Sequence, residues 1–148
     1  MATQKFLQIG FSGTREGMND FQKVQVKSWL VEFMLRSQVH DNVWLHHGGC
    51  VGADLEAHHI AKRIGYYLYL HPPLNTFAQA ILPADRDKSD DPFSFSGRNQ
   101  RIVIASDVLI AAPKRSSGGG TWNTIQHAIN AKKPHIIIYR DSIQMEGL

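Results

Sequence analysis

Short, almost wholly apolar runs punctuate this chain at Phe6–Phe11, Val43–His47, Tyr66–Leu70, Asp107–Ala112 and Pro134–Tyr139. Runs of this length, bounded by turn-forming residues, predict strands buried on both faces. Between them the period changes. From Phe21, apolar residues recur at Val24, Trp29, Leu30, Phe33 and Met34, a helical spacing that ends near Arg36. Asn19 or Asp20 is its expected N-cap. Asp54–Ile64 repeats at helical spacing through Leu55, His58 or His59, and Lys62, with Gly65 as the stop. Arg98–Ala105 and Trp122–Ala131 read as two further helices. The pattern weakens over residues 74–96, where Thr76–Leu82 reads as a short helix and Asp85–Pro92 as a solvated turn or lid; the residues after Tyr139 read as a tail.

Strands and helices therefore alternate. The expected architecture is α/β: a doubly wound, mainly parallel, Rossmann-like sheet of about five strands, one domain over residues 1–148. In such a sheet the turns leaving the strands' carboxyl ends share one edge, where ligands bind. Here that edge collects Ser12-Gly13-Thr14-Arg15, Gly48-Gly49-Cys50-Val51-Gly52-Ala53-Asp54, His71-Pro72-Pro73 and Ser116-Ser117-Gly118-Gly119-Gly120-Thr121. The opposite turns, such as Gln38–Asn42 and Lys132-Lys133, carry no comparable glycine and hydroxyl content. The last ligand-edge turn is the strongest feature: a strand, a glycine run and a helix in succession present backbone N–H groups and a helix N-terminus to an anion.

Composition narrows the ligand. The 148 residues carry a net charge of +3, with 43% hydrophobic and 20% charged residues. That mild excess suits a small anion and shows no basic block of the kind a nucleic-acid arm needs. No apolar run is long enough to cross a bilayer, the start of the chain lacks a secretory layout, and one cysteine forms no internal disulfide, so the cytoplasm is the expected compartment.

The expected ligand contacts are Ser12, Gly13, Thr14, Arg15, Gly48, Gly49, Asp54, Arg98, Asn99, Arg101, Ser117, Gly118, Gly119, Gly120 and Thr121. Arg98 and Arg101, three apart, are expected to share a helical face and clamp a phosphate or ribose, with Phe93 or Phe95 against a base. Glu16, Asp54 and Glu56 are the carboxylates available for catalysis. His46, His47, His58, His59 and His71 lack metal-ligand spacing on any one segment, so no metal is expected; one of His46 and His47 is expected inside the core. Cys50 sits near a helix N-terminus, where thiol pKa values tend to fall, yet no base is assigned to it and a packing role is expected.

Taken in order, Gly10-Phe11-Ser12-Gly13-Thr14-Arg15, Gly48-Gly49-Cys50-Val51-Gly52-Ala53-Asp54, Gly97-Arg98-Asn99-Gln100-Arg101, Ser106–Ala111 and Gly119-Gly120-Thr121 resemble the SLOG superfamily of Rossmann-like nucleotide-binding proteins, especially its small YspA-type members. More distantly, the chain is similar to the DNA-processing A family and to the Lonely Guy phosphoribohydrolases. The resemblance implies a bound nucleotide or nucleotide-derived, ADP-ribose-like ligand, no required cofactor, a sensing or sequestering role, and a homodimer or higher oligomer. The alternative it implies is a nucleoside 5′-monophosphate N-glycosidase or a related transferase. The Lonely Guy motif P-G-G-x-G-T-x-x-E places a catalytic glutamate where this chain has Thr124, which counts against hydrolysis by that family's mechanism.

Overall fold

The computed structural model describes residues 5–80 and 85–148. In chain order they form β1 (Gln8–Gly13), α1 (Asp20–Arg36), β2 (Trp44–His47), α2 (Ala53–Ile64), β3 (Tyr67–Leu70), β4 (Lys88–Ser89), α3 (Phe95–Ala105), β5 (Val108–Ala112), α4 (Gly119–Asn130), β6 (His135–Ile138) and β7 (Ile143–Glu146). The strands make one seven-stranded sheet in the order β4-β3-β2-β1-β5-β6-β7. All neighbours run parallel except β6 and β7.

The near-continuous apolar strands have their cause in the two layers. Ile9, Leu45, Leu68, Val108, Ile110 and Ile136 pack with Val26, Leu30 and Phe33 of α1 and Ala53, Ala57 and Ala61 of α2. Alternate residues Leu109, Ala111 and Ile137 pack with Val103 of α3 and with Ile125 and Ala128 of α4. Each strand face thus has its own helical cover, which is the doubly wound arrangement. The chain proceeds outward from β1 to β4 on one side, then returns through α3 to place β5 on β1's other flank. That reversal makes the β1/β5 boundary the topological switch point.

Asn19 is the N-cap of α1 and completes a capping box with Gln22. Gln22 is fully buried, and its Nε2 donates to the carbonyls of Pro113 and Ile138, 2.9 Å each. One side chain therefore ties α1 to the ends of β5 and β6, beside the ligand edge.

Three expectations need correction. Residues 76–80 form a turn, not a helix, because their backbone is engaged by the β2 turn: Val51 N donates to Ala78 O and Ala80 N to Gly49 O, 2.8 Å each. The rest of the expected Thr76–Leu82 helix, residues 81 and 82, lies outside the described residues. The expected lid at 85–92 is instead edge structure: β4 pairs with β3, and Asp87 Oδ2 accepts from Leu68 N at 2.8 Å. The expected tail folds back as β7, antiparallel to β6. Both additions are short edge strands, four residues or fewer, with exposed polar positions that mask any periodic signal. No helix among the described residues is long and apolar enough to cross a membrane.

Candidate functional site

The turns after β1, β2 and β5 are knit together at the switch point. Thr14 N donates to Ala112 O at 3.0 Å, and Ala53 N to Thr14 O at 2.9 Å. They surround a cleft of about 470 Å³, within the range of small-molecule sites. Of the expected contacts, Ser12, Gly13, Thr14, Arg15, Gly48, Asp54, Arg98, Asn99, Gly118, Gly119, Gly120 and Thr121 line it.

The glycine run forms one wall. α4 begins inside it, three residues earlier than the periodicity predicts, with Gly118 as an N-cap that has no side-chain capping bond. Among the described residues, no protein acceptor takes the N–H groups of Gly118, Gly119, Gly120 or Thr121. Gly118 and Gly119 have φ of +79° and +86°, the left-handed region that favours glycine. Gly120 has neither a positive φ nor any atom within 4 Å of where a Cβ would stand. Nothing in the fold requires glycine there, and glycine in a helix is unfavourable. The wall is a row of amides without a protein acceptor, on residues that line the cleft.

Arg98 forms the floor. It is buried, with Nη1 donating to Gly48 O at 3.1 Å and His71 O at 3.4 Å, and Nε donating to Asn99 Oδ1 at 2.8 Å. A Cβ on Gly48 would lie 1.9 Å from Arg98 Nη1, so this glycine is fixed by the arginine's close approach. Asn99 Nδ2 donates to Asn123 Oδ1 at 3.1 Å and to Gly120 O at 3.4 Å, linking the floor to the wall. At the mouth, Arg15 lies over the Phe95 ring, 5.2 Å from its centroid, and makes no ion pair among the described residues.

The remaining expected residues lie elsewhere. Arg101 does not share the cleft: it points to the β4 side, donating to Asp90 at 2.5 and 2.8 Å and stacking on Phe93 at 4.2 Å. A helix advances about 100° per residue, so a spacing of three leaves Arg98 and Arg101 about 60° apart, enough here to separate floor from edge. Phe93 is engaged with Arg101 and Pro73, so of the two expected phenylalanines only Phe95 lines the cleft. Gly49 turns away, its N–H donating to His47 Nδ1 at 3.0 Å, and Ser117 flanks the cleft without lining it.

The three carboxylates separate clearly. Glu56 accepts from Met18 N at 2.7 Å and pairs with Lys23 outside the cleft. Glu16 lines the cleft but is held by Lys114, whose ammonium keeps its carboxyl below the ordinary value. Asp54 lines the cleft and is buried; Oδ2 accepts from Cys50 N at 3.2 Å. Burial pushes its carboxyl up to about 6, against the opposing pull of Arg98 and the backbone N–H groups. Burial, with Asp54 adding to it, also raises the Cys50 thiol, so proximity to the α2 N-terminus does not win at this cysteine. Thr124, at the position of the Lonely Guy glutamate, is fully buried with Oγ1 donating to Gly120 O at 3.1 Å, turned onto its own helix.

Both His46 and His47 are buried, one under each layer, because both sheet faces are covered. His47 Nε2 lies 2.9 Å from His58 Nδ1, whose Nε2 lies 3.0 Å from Asp85. His46 Nδ1 lies 2.8 Å from His71 Nε2, and His71 Nδ1 lies 3.2 Å from Asp90. These rings fasten strands to helices and to the 85–90 segment. Pairs of adjacent histidines on a strand and on a helix were the visible signal; the pairing between elements was not. The sequence also gave no sign of Gln22, or of Trp122, whose Nε1 donates to Arg115 O at 2.9 Å and holds the glycine run's leading strand of loop.

No family model and no curated protein sequence matches the chain. Solved structures do. The molybdenum cofactor binding protein of Rippkaea orientalis aligns at 24% identity and a TM-score of 0.67, covering 90% of this chain and 76% of that one. The molybdenum cofactor carrier protein of Chlamydomonas reinhardtii aligns at 22% identity and 0.61, covering 87% and 74%. DNA processing protein A of Streptococcus pneumoniae aligns at 16% identity and 0.65, covering 89% of this chain and 50% of that protein. The fold these structures share with the chain is the expected Rossmann-like α/β fold with a mostly parallel sheet.

Proposed function

We propose that this protein binds a nucleotide or nucleotide-derived phosphorylated compound in the β1/β5 cleft and acts by holding it, as a carrier, sensor or sequestering protein. The observation that carries this reading is Gly120, a helical glycine explained by neither contact nor φ, beside a row of unpaired amides. A phosphate seated there takes those N–H groups and the favourable end of α4, Arg15 leaves the Phe95 face to meet it, and Phe95 is free to stack on a planar base. Neighbours that bind or carry the molybdenum cofactor support holding rather than turnover. The homo-oligomer implied by the resemblance belongs to the same proposal.

The test is thermal denaturation of the purified protein with AMP, ADP, ADP-ribose and the molybdenum cofactor, alongside mass spectrometry of any copurifying small molecule. A ligand at a hundredfold excess over Kd stabilises by about 2.7 kcal/mol, or roughly 5–10 °C in Tm for a chain of this length. No shift with any phosphorylated compound overturns the proposal. The same incubations, assayed for free base, test N-glycosidase turnover: base release that disappears in Asp54→Asn would replace holding with hydrolysis.

A further inference from the structure

The buried Asp54 carboxyl lines the same cleft as the unpaired amides of the glycine run, so a bound anion and this acidic group share one enclosed space. We propose that the cleft loads its anionic ligand together with one proton, taken from solvent by the Asp54 carboxylate, so that occupancy of the site follows pH. This rests on the cleft being the anion site.

The groups facing Asp54 come from three elements. Arg98 approaches from α3, Arg15 from the β1 turn, and the Cys50 thiol and the N–H groups of Gly48 and Cys50 from the β2 turn. Lys114, its partner Glu16, and Arg115 line the cleft as well. On α2 itself, Glu56 is engaged by Met18 N and Lys23, and His58, one turn on, has its pKa lowered mainly by burial, against the pull of Asp85. Arg98, the N–H groups of Cys50 and Gly48, and Arg15 favour the ionised carboxylate against burial. An arriving phosphate draws on the same two guanidiniums and adds a like charge in a confined, low-dielectric space, so both changes favour the protonated acid. Protonated Asp54 is also a donor, able to give a hydrogen bond where the carboxylate only accepts.

The direction is fixed by linkage. With the free carboxyl poised near 6 and a higher value in the complex, affinity is constant below about pH 6, falls as pH rises toward the bound value, and levels off above it. A shift of one unit on binding is a tenfold span of affinity.

The experiment is calorimetric titration with ADP-ribose, whose pyrophosphate does not titrate between pH 5.5 and 8, in two buffers of different ionisation enthalpy. Expected are net uptake of up to one proton near pH 6–7.5 and at least about a tenfold loss of affinity between pH 5.5 and 8. Asp54→Asn is expected to abolish both while still binding at pH 8. Binding without proton uptake, or an equal pH slope in Asp54→Asn, overturns the proposal while leaving the cleft reading intact. Absence of binding at every pH by ADP-ribose, AMP and pyrophosphate refutes the cleft reading, and this proposal falls with it. The buffer comparison on the unaltered protein stands even where Asp54→Asn fails to fold.

Discussion

Replacing Gly120 with alanine separates what the fold needs from what the ligand needs. The position lies in the first turn of α4, lacks the positive φ of Gly118 and Gly119, and has open space where the methyl would go. Alanine is favoured over glycine by about 1 kcal/mol in a helix interior and by less near an end, so a gain of about 0.5 kcal/mol is expected. For a chain of about 150 residues that raises Tm by roughly 1–2 °C. The ligand responds oppositely. A methyl on this wall keeps a phosphate oxygen from the amides, and one lost charge-assisted hydrogen bond costs about 1.5–3 kcal/mol, or roughly 10- to 150-fold in Kd. Gly118→Ala is the contrasting variant. Its φ of +79° strains an alanine by about 1–2 kcal/mol, so stability and binding fall together there. Paired thermal melts and nucleotide titrations of both variants read the difference. A Gly120→Ala protein that binds as tightly as the parent, or loses more than about 1 kcal/mol of stability, would show that this glycine does not serve the ligand.

Asp54→Asn is expected to stabilise the ligand-free protein at pH 8. The native carboxyl sits at about 6 against an ordinary 3.8, so its ionisation costs up to roughly 3 kcal/mol of stability. That stability is present below pH 4 and lost as pH rises through 6; urea unfolding of the parent and variant at pH 4 and 8 should show the gain only at pH 8. The buried histidines act with the opposite sign. Burial lowers His46 to about 3 and His71 to about 4, so the native state keeps neutral rings that the unfolded chain protonates below pH 6.5. Stability should therefore fall as pH drops from 6.5 toward 4, and an unfolding midpoint unchanged across that window contradicts the assignment. Arg98→Ala leaves the Gly48 and His71 carbonyls without their donor and should cost about 1–3 kcal/mol; an unaffected melting curve would remove Arg98 from the floor.

The main layers were legible because both faces of a parallel strand are covered, which leaves runs such as Val108–Ala112 without a polar residue. The same physics hid β4 and β7, whose exposed edge positions in Lys88-Ser89 and Gln144–Glu146 read as loop. The cleft was legible because its chemistry sits in short turns at one end of adjacent strands. Arg101 shows where spacing fails: periodicity places it near Arg98, but the carboxylate of Asp90, brought up by an edge strand the pattern did not reveal, holds it elsewhere. Gln22 acts by bridging to backbone carbonyls far away in sequence, and no local pattern encodes such a partner; Trp122 reaches back across the loop to Arg115 O, a contact that apolar periodicity does not show.

The central claim, that main-chain amides of converging turns hold an anion, is tested most directly by an amide ¹H–¹⁵N correlation spectrum recorded during titration with AMP. Thr14, Arg15, Gly119, Gly120 and Thr121 are expected to shift together with one dissociation constant. Shifts confined to other residues, or a spectrum unchanged at millimolar AMP, would contradict it.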